Sequence, residues 1–199
     1  MNLPLPLAVG IWVVLGLALL LLVLTGRRRL AQRTRAVVPV PPAAPAPEAL
    51  GALRAGPVEA VYVSSTLAGD WLARVGAHGL GDRAAARVTV HDAGVLVERE
   101  GADDVFAPVA TLRGAGLAPG MAGKYVGADG LVVITWEVPA ADGVEAALLD
   151  TGLRTRRATD RGTLVDAVRH LVAAQTLYPP ASTTPSSPPT ATPTPQDAR

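Results

Sequence analysis

Residues 87–99 read RVTVHDAGVLVER, and their alternation decides the fold. Val88 and Val90 alternate with Arg87, Thr89 and His91, and Val95 and Val97 bracket Leu96 before Glu98. A period of two places successive side chains on opposite faces of a strand. Asp92-Ala93-Gly94 between the runs is a short turn whose glycine takes positive φ freely, so the stretch reads as an antiparallel hairpin. Upstream, Glu59–Ser64 is a first strand, and Trp71–Arg74 a second short one or a turn of helix. Downstream, Val105–Leu112 continues the pattern after Gly101–Asp104. Gly130–Val138 is the run richest in β-branched residues. Gly143–Leu149 pairs with it across Pro139–Asp142, and Thr151–Thr155 adds a last short strand. Trp71 and Trp136 are expected in the core.

Beyond Thr155 the period switches to 3.6. Leu164, Val165, Val168, Leu171 and Val172 form one stripe, with Asp166 and Arg169 opposite. Thr159 or Asp160 is the candidate N-cap, and Pro179-Pro180 forces an end. The remainder, 179–199, is Ser, Thr, Pro and Ala with no face to bury, and is predicted to be a disordered tail. At the other end, Leu3–Leu24 (LPLPLAVGIWVVLGLALLLLVL) holds 22 residues without a charge, amide or hydroxyl. As a helix it covers roughly 33 Å, enough for a hydrocarbon core of roughly 30 Å. Arg27, Arg28, Arg29, Arg33 and Arg35 follow it and no charged side chain precedes it. Such asymmetry predicts a single span with the N-terminus outside and the C-terminal domain in the cytoplasm. A cleaved signal peptide would carry its charge first and a shorter apolar run. Between span and strands, Pro39, Pro41, Pro42, Pro45 and Pro47 predict an extended, semi-rigid stalk. The expected organisation is a transmembrane helix (3–25), a basic juxtamembrane segment and Pro/Ala-rich linker (26–56), one folded domain (57–178) and the tail (179–199).

Composition narrows the function. The formal charge of +1 conceals segregation, because residues 57–178 carry 11 basic against 15 acidic side chains. The juxtamembrane arginines are placed to meet anionic headgroups, at about 1 kcal/mol each. An acidic domain with one lysine and one phenylalanine, Lys124 and Phe106, lacks the clustered cations and stacking platforms of a nucleic-acid binder. The chain has no cysteine, which excludes disulfides, thiolate catalysis and zinc–sulfur sites. Gly123-Lys124 is no phosphate loop: Ala118 stands where its first glycine belongs, and Tyr125 where the Mg²⁺-binding Ser or Thr belongs. Gly114, Gly116 and Gly120 miss the dinucleotide spacing and read as a flexible inter-strand loop. His78, His91 and His170 are scattered, two ligands short of a metal site in any pairing. No serine sits in a nucleophile elbow. No catalytic residue, cofactor or metal ligand is predicted.

Three stretches then matter together: Gly120-Met-Ala-Gly-Lys124-Tyr-Val126, Asp129-Gly-Leu-Val-Val-Ile-Thr-Trp136, and Leu149-Asp-Thr-Gly-Leu-Arg154. With the anchor, the strand meander and the closing helix, they resemble the actinobacterial membrane-anchored proteins that carry a bacterial pleckstrin-homology-like (PH-like) domain. That resemblance implies a partly open barrel of about seven antiparallel strands, capped by one C-terminal helix and without enzymatic activity. It implies a module that recruits or scaffolds a protein partner, not named by the sequence, at the cytoplasmic membrane face. Two alternatives stand beside it. One is a domain sensing anions or anionic lipid headgroups. The other is an accessory subunit of a transport complex, since one span without an intramembrane charge does not conduct alone. The candidate contacts are Lys124, on its glycine loop, and Arg154, Arg156 and Arg157. Arg154 and Arg156 would share one strand face, against which stands charge neutralisation by Asp150, Asp160 and Asp166.

Overall fold

A computed structural model describes residues 4–177. The first element, α1 (Leu5–Arg35), is 31 residues long and does not stop where the apolar run ends. Arg, Leu, Ala and Gln are all good helix formers, so the winding continues ten residues past Thr25. Its Val9–Arg35 portion has the length and apolar composition to cross a membrane, and its apolar window is bare of protein contact.

The chain that follows is not a free stalk. Val38 is fully buried in the main core, Pro39 is buried and Leu50 nearly so. The Gly76 N–H donates to Thr34 Oγ1 (3.1 Å), which clamps the end of α1 to the domain. Gly76 suits this close approach, because a Cβ would lie 3.0 Å from the Ala31 nitrogen and the Leu30 Cγ, tighter than ordinary contact. Extended proline-rich chain offers its apolar rings to a surface as readily as to solvent. The folded unit therefore begins at Val38, well before Pro57.

Among the described residues nine strands follow: β1 (Leu53–Leu67), β2 (Ala84–His91), β3 (Gly94–Arg99), β4 (Val105–Pro108), β5 (Leu112–Ala118), β6 (Gly120–Met121), β7 (Lys124–Tyr125), β8 (Leu131–Val138) and β9 (Ala147–Thr155). Seven form one antiparallel sheet in the order β4-β3-β2-β1-β9-β8-β5. Its two rims, β4 and β5, are consecutive in the chain and joined only by a single 3₁₀ turn, Val109–Thr111. The sheet must curl until its rims nearly meet, yet they make no ladder with each other. It is a partly open barrel. The helix α2 (Asp160–Leu177) covers the gap, with Leu164, Val165 and Val168 buried in the same core as Val58, Tyr62 and Trp136. Arg169 Nε donates to the Ala115 carbonyl on the β5 rim (2.9 Å), and Gln175 donates to the Val109 carbonyl. Each large side chain fully buried in this interior contributes about 1.5–3 kcal/mol.

Several expectations are corrected. Val105–Leu112 is not one continuous strand: β4 ends at Pro108, a 3₁₀ turn follows at Val109–Thr111, and Leu112 opens β5. The two strands expected at 143–149 and 151–155 are one, β9. Gly114 and Gly116 lie inside β5, paired with β8, and not in a loop. Trp71 is 55% exposed, whereas Trp136 is sealed in the barrel at 1%. The tail at 179–199 lies outside the described residues.

Candidate interaction surface

Inside the barrel a line of hydroxyls runs between the β-strands. Tyr62 Oη contacts Ser65 Oγ (2.8 Å), Ser65 Oγ contacts Thr151 Oγ1 (2.7 Å), and the Trp136 Nε1–H donates to Thr151 Oγ1 (2.9 Å). Tyr62 Oη also donates to the Leu80 carbonyl (2.9 Å). The Arg99 guanidinium lies 4.6 Å from the Tyr62 ring centroid, a cation–π contact. Burial pushes the Tyr62 hydroxyl up to about 12, against the Ser65 hydrogen bond and the Arg99 charge, which pull it down. A tyrosine so held stays neutral and serves the core. It ties β1, β8 and β9 together and offers no base to solvent.

The outer face is different. In β9, exposed Arg154 alternates with buried Leu153 and Thr155, so Arg154 and Arg156 share the outward face as predicted from period two. Register places Arg87 opposite both Glu98 and Glu59, and Arg156 Nη1 reaches Glu59 Oε2 at 3.0 Å. The result is a ladder of alternating sign, Glu98–Arg87–Glu59–Arg156, across four strands. The partner of Arg156 is thus Glu59, not one of the three expected aspartates; Asp150 instead accepts from Thr135 Oγ1 at 2.6 Å. Beside the ladder runs a trough of about 790 Å³ floored by Val61 and Ala85, with Arg154 on its wall.

The other expected contacts go elsewhere. Arg157 sits in the bend before α2, where its carbonyl accepts from Thr155 Oγ1 (2.7 Å), and it does not line the trough. Lys124 lies on the β6–β7 hairpin, which folds over the outer sheet face. Met121 of that hairpin packs with Val63 and Leu131, directly above Gly152. What reads in the sequence as a flexible glycine loop is an anchored hairpin, and Lys124 is exposed on it, apart from the arginines. Arg27, Arg28, Arg29, Arg33 and Arg35 all lie within α1; Arg28, Arg29, Arg33 and Arg35 are exposed, outside the Leu30–Ala31–Thr34 stripe that meets the domain.

The histidines are likewise separate. His78 Nε2 meets the Val38 carbonyl (3.1 Å), His91 Nδ1 the Gly51 carbonyl (3.4 Å), and His170 lines a groove between α2 and the β2–β3 end. No three potential metal ligands gather among the described residues. Sequence reasoning missed Arg99, Glu59 and Arg87. The signal for the last two was present, because opposite charges at facing register positions mark a cross-strand pair once the register is known.

A seven-stranded curled sheet whose open side is plugged by a C-terminal helix is the architecture that the sequence resemblance implied. The profile of a family described as bacterial PH domain-like matches residues 39–169. The chain belongs to that family. No curated protein matches it. The family match opens one residue after the buried Val38, in agreement with the domain start set by burial. The PH-like fold is generally a non-catalytic one.

Proposed function

We propose that the protein is a single-span, N-out membrane protein whose PH-like domain recruits a protein partner at the cytoplasmic face without performing chemistry. The observation that carries this reading is the outer trough. Its ladder alternates in sign and its cations face carboxylates, which suits a polar protein surface better than a phosphate-rich one. The clamp between Thr34 and Gly76 adds that anything held by the trough is held at a fixed place beside α1. In intact cells, protease added outside should leave the domain whole. Proximity labelling with the full chain, repeated with the double charge reversal E59K/R87E, should lose its main partner while the domain stays folded. Labelling unchanged by that reversal would remove the trough from the account.

Headgroup sensing by Arg154 is the second reading. Arg154 forms no ion pair among the described residues and faces the same trough. Flotation of the full chain carrying R154A on anionic vesicles cannot by itself separate the two, because α1 would hold it there. The separating measurement is partner capture by R154A in neutral-lipid nanodiscs, which the protein-recruiting reading expects to be retained.

A further inference from the structure

The loop from β1 to β2 runs along α1 in a fixed order. His78 meets Val38 just past the helix, Gly76 meets Thr34, Ala31 and Leu30, and Arg74 shares a trough with Arg28 and Leu24. That trough extends along α1 as far as Leu24, at the end of the apolar run. Shortly before Arg74 in the loop come Trp71 and Leu72. They form the tip of a tight turn: Asp70 Oδ1 accepts from the Leu72 and Ala73 N–H groups at 3.0 and 3.1 Å, and the Ala73 N–H also meets the Asp70 carbonyl at 3.0 Å. So pinned, the turn displays both side chains outward, with Leu72 61% exposed. The Ala122 N–H donates to the Trp71 carbonyl (2.7 Å), which brings the β6–β7 hairpin alongside. That hairpin adds Lys124 and Tyr125, the latter 76% exposed.

We infer that Trp71 and Leu72, with Tyr125 and Lys124 beside them, enter the headgroup layer of the bilayer that α1 crosses. The inference rests on the spanning reading of α1. The trough that Arg74 and Gly76 help to line is bounded on α1 by Leu24, Arg28, Leu30 and Ala31, and Leu24 to Leu30 is roughly 9 Å of helix. The polar layer on each side of a bilayer is about 5–8 Å thick, comparable to that stretch, and Trp71 and Leu72 lie only three and two residues before Arg74. Tryptophan and tyrosine are the side chains enriched there, having an apolar body and a polar edge, and a lysine stem lies along apolar surface while its head stays wet. A bilayer is the occupant because the clamp on α1 brings it to this patch whatever proteins are present.

Three tryptophans make the test direct, since Trp12 lies in α1 and Trp136 is sealed in the barrel. The full chain is reconstituted in phosphatidylcholine–phosphatidylglycerol vesicles containing lipid brominated either near the headgroup or near the bilayer centre. W71F reports Trp12 and W12F reports Trp71; W12F/W71F gives the Trp136 background, and near-UV circular dichroism of Trp136 checks the fold. In W12F, emission should be lost chiefly to bromine near the headgroup, and that loss should vanish in the double variant. Quenched Trp12 with unquenched Trp71 overturns this inference and leaves the span standing, whether the patch then faces solvent, a protein or a second copy. Unquenched Trp12 overturns both.

Discussion

Ser65 and Thr151 place hydroxyls in the middle of a hydrophobic barrel, and Tyr62 binds its fate to theirs. An unfolded tyrosine ionises near 10, whereas Tyr62 in the fold is pushed up to about 12. Between those values the unfolded chain has released a proton that the native chain still holds, so stability falls as pH rises through that window. The loss approaches roughly 3 kcal/mol at its upper end. Urea midpoints measured across it should drop for the native chain and stay flatter for Y62F. Gly94 carries a different constraint. Its φ is +148°, and a Cβ would stand 2.2 Å from the Ala107 carbonyl oxygen. G94A should cost at least about 2 kcal/mol in thermal or urea unfolding, through the β3–β4 contact. That glycine was legible in the sequence as a turn residue. Ser65 and Thr66 were not legible as strand, because a hydroxyl satisfied inside a barrel has the same periodicity signature as one in water. Trp71 misled for the opposite reason, since size alone does not say which way a turn points.

Among the elements, the hairpin of β2 and β3 and the strand β8 were legible because their inner and outer faces differ at every step. β1, expected at Glu59–Ser64, runs from Leu53 to Leu67 and so passes through Pro57. The proline is tolerated because the β1–β2 register shifts between Ala55 and Val58, where a missing N–H leaves no ladder bond unmade. β9 was read as two strands because Asp150-Thr151-Gly152 looks like a turn. The glycine is there for packing: a Cβ on Gly152 would lie 2.7 Å from the Met121 sulfur. The β6–β7 hairpin depends on that seat. M121A should cost about 2–4 kcal/mol locally, read as faster hydrogen exchange at Ala122 and Val126 with the β1–β9 amides still protected. The ion pair of Arg156 with Glu59 is exposed on both sides, so E59A should change the unfolding free energy by less than about 1 kcal/mol.

At the scale of the whole molecule, one expectation fails for a general reason. Prolines predict an extended backbone correctly, but they do not say whether that backbone stands in solvent or lies on a surface, and Val38 decides for the surface. The junction is therefore a joint with a measurable stiffness. G76V should push α1 away from the β1–β2 loop, broadening the distance distribution between spin labels on α1 and on β3 while domain melting shifts little. Where α1 ends could not be read from its arginines, because the helix runs on through them to Arg35. The uninterrupted helix has a mechanical consequence. At 31 residues α1 is about 46 Å long, some 16 Å more than a hydrocarbon core, and its far end is gripped. A membrane that thins makes such a helix lean. In the proposed spanning arrangement, the grip of Gly76 on Thr34 would make the barrel swing with it like a pennant fixed to a mast, and local thickness would set its orientation.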